Sequence, residues 1–159
     1  MKRKKLTFAT LAILLSLFLV NQKTSAHCEI PCGIYTDSLR ISMIKEDIAT
    51  IEKSMKKIVE LSNESPQNHN QIVRWVMNKE EHAKKIQDIV SQYFLHQRVK
   101  LTDPSDKEHY NKYVQQLAAL HEIAVYSMKT KQSTDLTNVE KLRKSVLEFE
   151  KIYFHSHEH

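Results

Sequence analysis

Glycine and proline are scarce in this sequence, which has one glycine and three prolines among 159 residues. Average usage would give roughly 11 glycines and 8 prolines in a chain of this length. Folds with many tight turns depend on these residues, so their scarcity disfavours sandwiches, barrels and Rossmann sheets. Disorder is also disfavoured, because apolar residues make up 41% of the chain and recur in regular patterns. A single domain of long helices remains.

The first 26 residues have the pattern of a secretory signal peptide. Residues 2–5 are all basic, residues 6–20 are mostly apolar, and residues 21–26 are polar and end in small side chains. An apolar stretch of about fifteen residues is short for a membrane span. We predict cleavage between Ala26 and His27, with an uncleaved membrane anchor as the alternative. The cleaved chain is expected to be exported, to the periplasm or the extracellular space, and to leave the membrane.

The net charge of +5 comes entirely from this leader. Its basic residues are Lys2, Arg3, Lys4, Lys5 and Lys23, and it has no acidic residue. Of the 24 basic residues in the whole chain, 19 therefore remain after cleavage, against 19 acidic ones. The formal net charge of the mature chain is zero, so the basic composition gives no reason to predict nucleic-acid binding.

Apolar residues at steps of three and four predict four amphipathic helices. The predicted helices cover residues 38–61, 70–98, about 105–131 and about 135–154. Asp37 or Ser38 is expected to cap the first helix, and Asp103, followed by Pro104, to cap the third. Helices of this length joined by short loops predict an all-α fold, an antiparallel up-and-down four-helix bundle over residues 38–154.

The same periodicity predicts which side chains face the core. They are Ile41, Ile44, Ile48, Ile51, Met55 and Ile58 in the first helix; Ile72, Trp75, Val76, Ala83, Ile86, Val90 and Tyr93 in the second; Tyr110, Tyr113, Leu117, Leu120, Ala124 and Met128 in the third; and Val139, Leu142, Val146, Phe149 and Tyr153 in the fourth. His82 and His121 are single histidines on helices and are predicted to be packing or surface residues.

Residues 27–37, which we term the hook, contain the side chains with metal and redox chemistry. The sequence of residues 27–35 is HCEIPCGIY, with both cysteines and the only glycine of the chain. For an exported protein the simplest interpretation is a Cys28–Cys32 disulfide in a structural helical module.

The alternative interpretation is a metal site at a free N-terminus. If cleavage exposes His27, its amine, the Cys28 amide nitrogen and the Cys28 sulfur can form two adjacent five-membered chelate rings. The Cys32 sulfur can complete the plane, and the His27 imidazole can reach an axial position. Planar coordination of this kind suits Cu(II) or Ni(II) better than zinc. Thiolates and a deprotonated amide stabilise a higher oxidation state, which indicates one-electron redox chemistry.

The hook resembles the N-terminus of the nickel superoxide dismutases, whose mature chains begin H-C-x-x-P-C-G-x-Y. Residues from His27 to Tyr35 fit this pattern without a mismatch, and a weaker likeness continues through 51–62, 70–83 and 133–154. The resemblance implies a homohexamer of four-helix bundles that binds one nickel ion per chain and takes superoxide as substrate. It also implies that the metal alternates between Ni(III) and Ni(II), oxidising one superoxide to dioxygen and reducing the next to hydrogen peroxide.

The resemblance further implies a role for each matching hook residue. The His27 amine, the Cys28 amide and the Cys28 and Cys32 thiolates bind nickel in a plane, and the His27 imidazole joins as an axial ligand of Ni(III). Tyr35 lies at the open face of the metal and limits access to it, so His27 and Tyr35 are the predicted catalytic residues. Pro31 shapes the hook.

Three further residues are expected to support this centre. Gly33 provides the turn that brings the Cys32 sulfur back towards the metal. Arg74 matches an arginine that the family places near the axial imidazole. Glu46 is the nearest acid to the position of a family glutamate, where this chain is apolar. Partners of this kind orient a ligand and tune the metal.

A third interpretation is an exported carrier of nickel or copper that binds metal without turning over superoxide. It would use the same N-terminal chelate together with the histidine-rich tail, residues 155–159. The tail taken by itself is expected to be a solvated chain end.

Overall fold

The computed structural model describes residues 33–154, and within this range the chain forms four long helices and no strand. In chain order, α1 is Asp37–Ser62, α2 is His69–Asp88, α3 is Lys107–Gln132 and α4 is Leu136–Phe154. A π-helical segment, Ile89–Arg98, follows α2 directly. No helix in the described part of the chain is long and apolar enough to cross a membrane.

The four helices close into a bundle. Each helix packs against the helix that follows it in the chain, and α1 also packs against α4. The all-helical prediction is therefore confirmed for residues 33–154. The predicted second helix, 70–98, corresponds to α2 together with the π-helical segment.

The core consists of the predicted apolar stripes, with exceptions in the two middle helices. Every predicted core residue of α1 and α4 is buried. In α2 and the π-helical segment, Ala83, Ile86, Val90 and Tyr93 are buried, but Val76 is 36% exposed. In α3, Met128 is 43% exposed. The inward assignments of Val76 and Met128 are therefore wrong.

Some of the buried positions in α2 and α3 hold polar side chains, which the apolar pattern did not predict to face the core. In α3 the buried residues include Ser127 and Thr130, whose hydroxyls donate to carbonyls three or four residues earlier in the same helix. These internal hydrogen bonds satisfy the hydroxyls without a partner in the core. In α2 the buried residue next to the Val76 position is Lys79.

Lys79 is buried against the C-terminal end of α3. Its ammonium donates to the carbonyl oxygen of Thr130 at 2.8 Å and to that of Lys131. Burial lowers the pKa of Lys79, and the neighbouring Glu80 opposes that shift. The carbonyls at the end of a helix have no partner within the helix and carry a partial negative charge, so Lys79 caps α3 from outside.

Two predicted helix caps are wrong. The N-cap of α1 is Thr36, and the Asp37 side chain, already inside the helix, binds partners on other elements. The N-cap of α3 is Asp106, whose carboxylate accepts from the His109 amide. Asp103 instead accepts from the Ser105 amide inside the preceding turn.

Candidate metal centre and its attachment to the bundle

The predicted metal ligands lie outside the described residues. This holds for His27, Cys28 and Cys32, for Pro31, and for the leader and the histidine-rich tail. Within residues 33–154, no group of three or more histidine, cysteine, aspartate or glutamate side chains is placed to hold a metal ion. The structure describes the hook from Gly33 onwards, which is where it joins α1.

Gly33 has the left-handed conformation of a turn. Its φ is +77°, and a Cβ added at this position would meet no atom of the described chain within 4 Å. Residues with a side chain rarely adopt this conformation. The only glycine of the sequence thus stands where the backbone conformation, rather than lack of space, favours glycine.

Tyr35 packs between an aromatic edge and a cation. The Tyr93 ring meets it edge-on with the ring centroids 6.0 Å apart. The guanidinium carbon of Arg98 lies 4.2 Å from the centroid of the Tyr35 ring. Aromatic edges and guanidinium groups are both favourable neighbours of a tyrosine ring. Tyr35 is 38% exposed, so these two residues fix the ring and leave part of it open to solvent.

Asp37 is the centre of the hydrogen-bond network behind Tyr35. Its carboxylate accepts two hydrogen bonds from Arg98, from Nε at 2.8 Å and from a terminal nitrogen at 2.7 Å. It also accepts from the hydroxyls of Tyr93 and Tyr153, the latter at 2.8 Å. The Tyr93 hydroxyl in turn accepts from the Thr36 amide at 2.9 Å. The two residues after Tyr35 are thereby tied to the π-helical segment and to α4.

The network shifts the pKa values of its members in the directions expected for a charged Asp37. Burial raises the pKa of Asp37, but the hydrogen bonds from Arg98, Tyr93 and Tyr153 outweigh burial and hold it below its ordinary value. Burial and the bond to Asp37 raise the pKa of Tyr93 to about 12. The pKa of Tyr153 is raised by burial and by Asp37. Asp37 is therefore an anion, and its two tyrosine partners are neutral donors.

The π-helical segment brings Tyr93 and Arg98 to the same carboxylate. At its end, the Val99 amide donates to the carbonyl of Phe94, five residues earlier. In an α-helix, residues five apart point about 140° away from each other around the axis. In a π-helix, where the hydrogen bond joins residues five apart, they lie close to one turn apart. The local π geometry thus lets both side chains bind Asp37.

The structure does not bring Arg74 and Glu46 to Tyr35. Arg74 is exposed and lines a shallow groove near the start of α2. Tyr93 is 19 residues further along the same helical rod, which corresponds to roughly 28 Å. Glu46 is exposed on α1, more than two turns beyond Asp37. Their expected contact with the His27 imidazole stays a prediction, because that imidazole lies outside the described residues.

Sequence reasoning missed the residues that hold Tyr35. Asp37 was predicted to be a helix cap, Tyr93 and Tyr153 were predicted to be core residues, and Arg98 was given no role. A signal was present in the two tyrosines, since a buried phenol usually has a hydrogen-bond partner. Two phenols on the inward stripes therefore required an acceptor, and Asp37 provides it.

The two helical histidines differ in their surroundings. The Nδ1 atom of His82 lies 2.6 Å from a carboxylate oxygen of Asp47, which is buried on α1. This polar pair joins α1 to α2 inside the bundle. His121 is exposed.

Comparison with known proteins gives one family. The model of the family described as nickel-containing superoxide dismutase matches residues 22–157. The match includes the whole hook and all four helices. Searches of the curated proteins and of the solved structures returned no match.

Proposed function

The chain belongs to the nickel-containing superoxide dismutase family, and from this membership we propose that its nickel centre forms at a processed N-terminus beginning with His27. Family membership makes the protein an oxidoreductase that uses nickel and acts on superoxide. The processed terminus, the individual ligands and the redox cycle are the proposed part.

One observation carries the proposal. The sequence from His27 to Tyr35 fits the H-C-x-x-P-C-G-x-Y pattern, directly follows the predicted cleavage point, and lies inside the family match. Cleavage at an earlier bond would leave a peptide bond on the His27 nitrogen. That nitrogen could then no longer serve as an amine ligand.

The proposed donor set fits nickel. The His27 amine, the Cys28 amide nitrogen and the thiolates of Cys28 and Cys32 are strong donors suited to planar coordination. A nickel ion held by these residues would supply a one-electron change between Ni(III) and Ni(II). Over a full cycle, two superoxide anions and two protons give one dioxygen and one hydrogen peroxide.

The described residues support a defined role for Tyr35. Its ring is fixed by Tyr93 and Arg98, and the hydrogen bonds of Asp37 hold the next part of the chain. A partly exposed ring fixed in this way suits the access-limiting role that the family resemblance implies for Tyr35. We place the substrate-facing side of the centre at this ring.

Three further features belong to the proposal. The helices run antiparallel, up and down, which is supported by the contacts of Asp37 at the start of α1 with Tyr153 near the end of α4. The protein assembles as a homohexamer, as the family resemblance implies. It acts after export, since cleavage of the leader is what frees the His27 amine.

The test is to isolate the exported protein and measure its mass, its first residue and its metal content. The proposal predicts a chain that begins at His27 and holds about one nickel per chain. An additional residue before His27 would contradict the ligand assignment. Zinc or copper in place of nickel, or no metal, would contradict the nickel assignment. Sizing of the same sample tests the hexamer.

A further inference from the structure

A groove in the bundle is lined entirely by side chains that can donate hydrogen bonds. It lies between the loop that follows the π-helical segment and the first turns of α3, and its volume is about 350 Å³, in the range of small-ligand sites. All eight lining side chains carry an N–H or O–H group, and no acidic side chain of residues 33–154 is among them. Ligand sites usually have mostly apolar walls. A lining of donors alone favours an anion that is rich in acceptor atoms.

One wall of the groove is a single face of α3. Four lining residues of this helix follow one another at steps of three, one and three, so they share one side of the helix. They are His109, Lys112, Tyr113 and Gln116. Lys112 is half-buried although its side chain is charged. The start of α3 therefore presents a row of polar groups to the groove.

The remaining lining residues come from two other parts of the bundle. Arg98 ends the π-helical segment, and Lys100 and Thr102 lie in the loop after it. Tyr153 is near the end of α4. Arg98 and Tyr153 both donate to the Asp37 carboxylate, which holds their side chains in place. Part of the groove is therefore fixed by a network that exists without any ligand.

Four of the donor groups in the groove have no partner among the described residues. No hydrogen bond or ion pair within residues 33–154 uses them, whereas such bonds hold most of the other polar side chains of the groove. The four are the ammonium groups of Lys100 and Lys112, the hydroxyl of Tyr113 and the side-chain amide of Gln116. A ligand with several acceptor oxygens can take up donors of this kind.

The charge of the groove suits a dianion. Arg98 and His109 each lie against a carboxylate, at 2.7 Å and 2.8 Å. The charges of Lys100 and Lys112 have no such counter-ion in the part of the chain that the structure describes. Two positive charges match a phosphate monoester, which carries about −1.5 to −2 charge at pH 7 and has three strong acceptor oxygens.

We propose that this groove binds a phosphate dianion, as free phosphate or as the phosphate group of a small ester. Lys100 and Lys112 are its counter-ions, and Tyr113 and Gln116 donate to its oxygens. Hydrogen bonds to an ionised acceptor are about twice as strong as those between neutral groups, and lysine is a common phosphate ligand. The site uses only residues of the bundle and requires neither nickel nor the processed N-terminus, so it goes beyond the proposed function.

The test is isothermal titration calorimetry of the nickel-loaded protein with inorganic phosphate and, separately, with glycerol 3-phosphate. The titrations are run in about 0.1 M sodium chloride, which screens non-specific attraction beyond about 10 Å. We expect saturable binding of one ligand per chain. Lys100→Gln/Lys112→Gln should weaken it at least about tenfold, because two charged donors are lost, and Tyr113→Phe should weaken it about threefold. Binding of either ligand supports the site, and the comparison shows which form of phosphate it takes.

The matched control is Lys53→Gln/Lys129→Gln, which removes the same charge from two exposed sites away from the groove. Lys53 is 16 residues beyond Asp37 in α1, or roughly 24 Å, and Lys129 is 17 residues beyond Lys112 in α3, or roughly 26 Å. This control should bind phosphate within about twofold of the wild type, and all variants should keep the helical circular dichroism of the bundle. The absence of saturable binding of both ligands to the wild type would overturn the proposal. Equal weakening in the groove variant and the control would do the same.

Discussion

At the scale of single residues, the structure shows that Asp37 and Arg98, and not Arg74, lie around Tyr35. The sequence motif identifies the candidate ligands, because their types and spacing suit coordination of a metal, and the family resemblance adds Tyr35. It does not identify Asp37 and Arg98, which are 61 positions apart and meet only in the folded chain. Their pairing depends on the twist of the helix that carries Arg98, and apolar periodicity contains no information on that twist.

The first prediction concerns Arg98→Lys. Lysine keeps the charge but loses the two-pronged bond to Asp37 and the flat group over Tyr35. We expect the free energy of unfolding to fall by about 2 kcal/mol, because hydrogen bonds of a partly buried carboxylate are lost. The ¹⁹F resonance of a fluorotyrosine placed at position 35 should also shift.

The control for this variant is Arg143→Lys. Arg143 is paired with Glu52 at 2.7 Å, but the Arg143 side chain is much more exposed than that of Arg98. Exposed pairs contribute little, so the change in stability should stay below about 0.5 kcal/mol and the fluorine resonance should not move. An unshifted resonance in Arg98→Lys would show that Arg98 does not position Tyr35.

The second prediction concerns the pH dependence of stability. The pKa of Asp37 is lowered in the folded chain, so its contribution is fully present above the pKa of the unfolded state, about 4, and is lost as pH falls through the folded value. We consider the part of the difference in unfolding free energy between wild type and Asp37→Asn that comes from the Asp37 charge. It should be constant from pH 5 to 8 and should shrink below about pH 4. Urea denaturation at each pH measures it. A difference that stays constant down to pH 2 would contradict a charged Asp37.

At the scale of helices, the outer elements are more predictable than the middle ones. In α1 and α4 every apolar residue that the periodicity places inward is buried, and the polar side chains of Asp47, Ser54 and Ser145 are buried beside them. In α2 and α3 the stripe includes Lys79, Ser127 and Thr130, which an apolar pattern cannot show. The π-helical segment could not be predicted from the sequence either, since nothing in the residue types of 89–98 distinguishes it from a continued α-helix.

The third prediction concerns the helix cap formed by Lys79. In Lys79→Met the stem is kept and the ammonium is lost, so the carbonyls of Thr130 and Lys131 lose a charged donor. Removal of a buried charge offsets part of this cost, and we expect a net loss of about 2 kcal/mol. Urea denaturation measures it, with Lys85→Met, an exposed site on the same helix, as the control. Equal stability of the two variants would rule out the capping role.

At the scale of the whole molecule, we propose that the helical bundle carries a metal centre at its processed N-terminus. The all-helical class follows from the periodic stripes and the lack of glycine, and it is confirmed for the described residues. The predicted metal site rests on nine consecutive residues, 27–35, and not on the apolar stripes that predict the helices. What the sequence could not show is the network that holds Asp37, the second residue after Tyr35, which depends on residues from α1, the π-helical segment and α4.

The fourth prediction distinguishes the metal centre from a structural disulfide. After nickel is removed under anaerobic conditions, the mature chain should show two free thiols, from Cys28 and Cys32. Titration with a thiol reagent in denaturant measures them. A chain with no free thiol before any reductant is added would support the Cys28–Cys32 disulfide and contradict the nickel hook.

The measurement that tests the central claim most directly is dismutation by two nickel-treated chains that differ by one residue at the N-terminus. One chain begins at His27, and the other has a single additional glycine before it. The first should dismutate superoxide, and the second should lose activity while keeping the helical circular dichroism of the bundle. Equal activity in both chains, or none in the chain that begins at His27, would contradict a nickel centre built on the His27 amine.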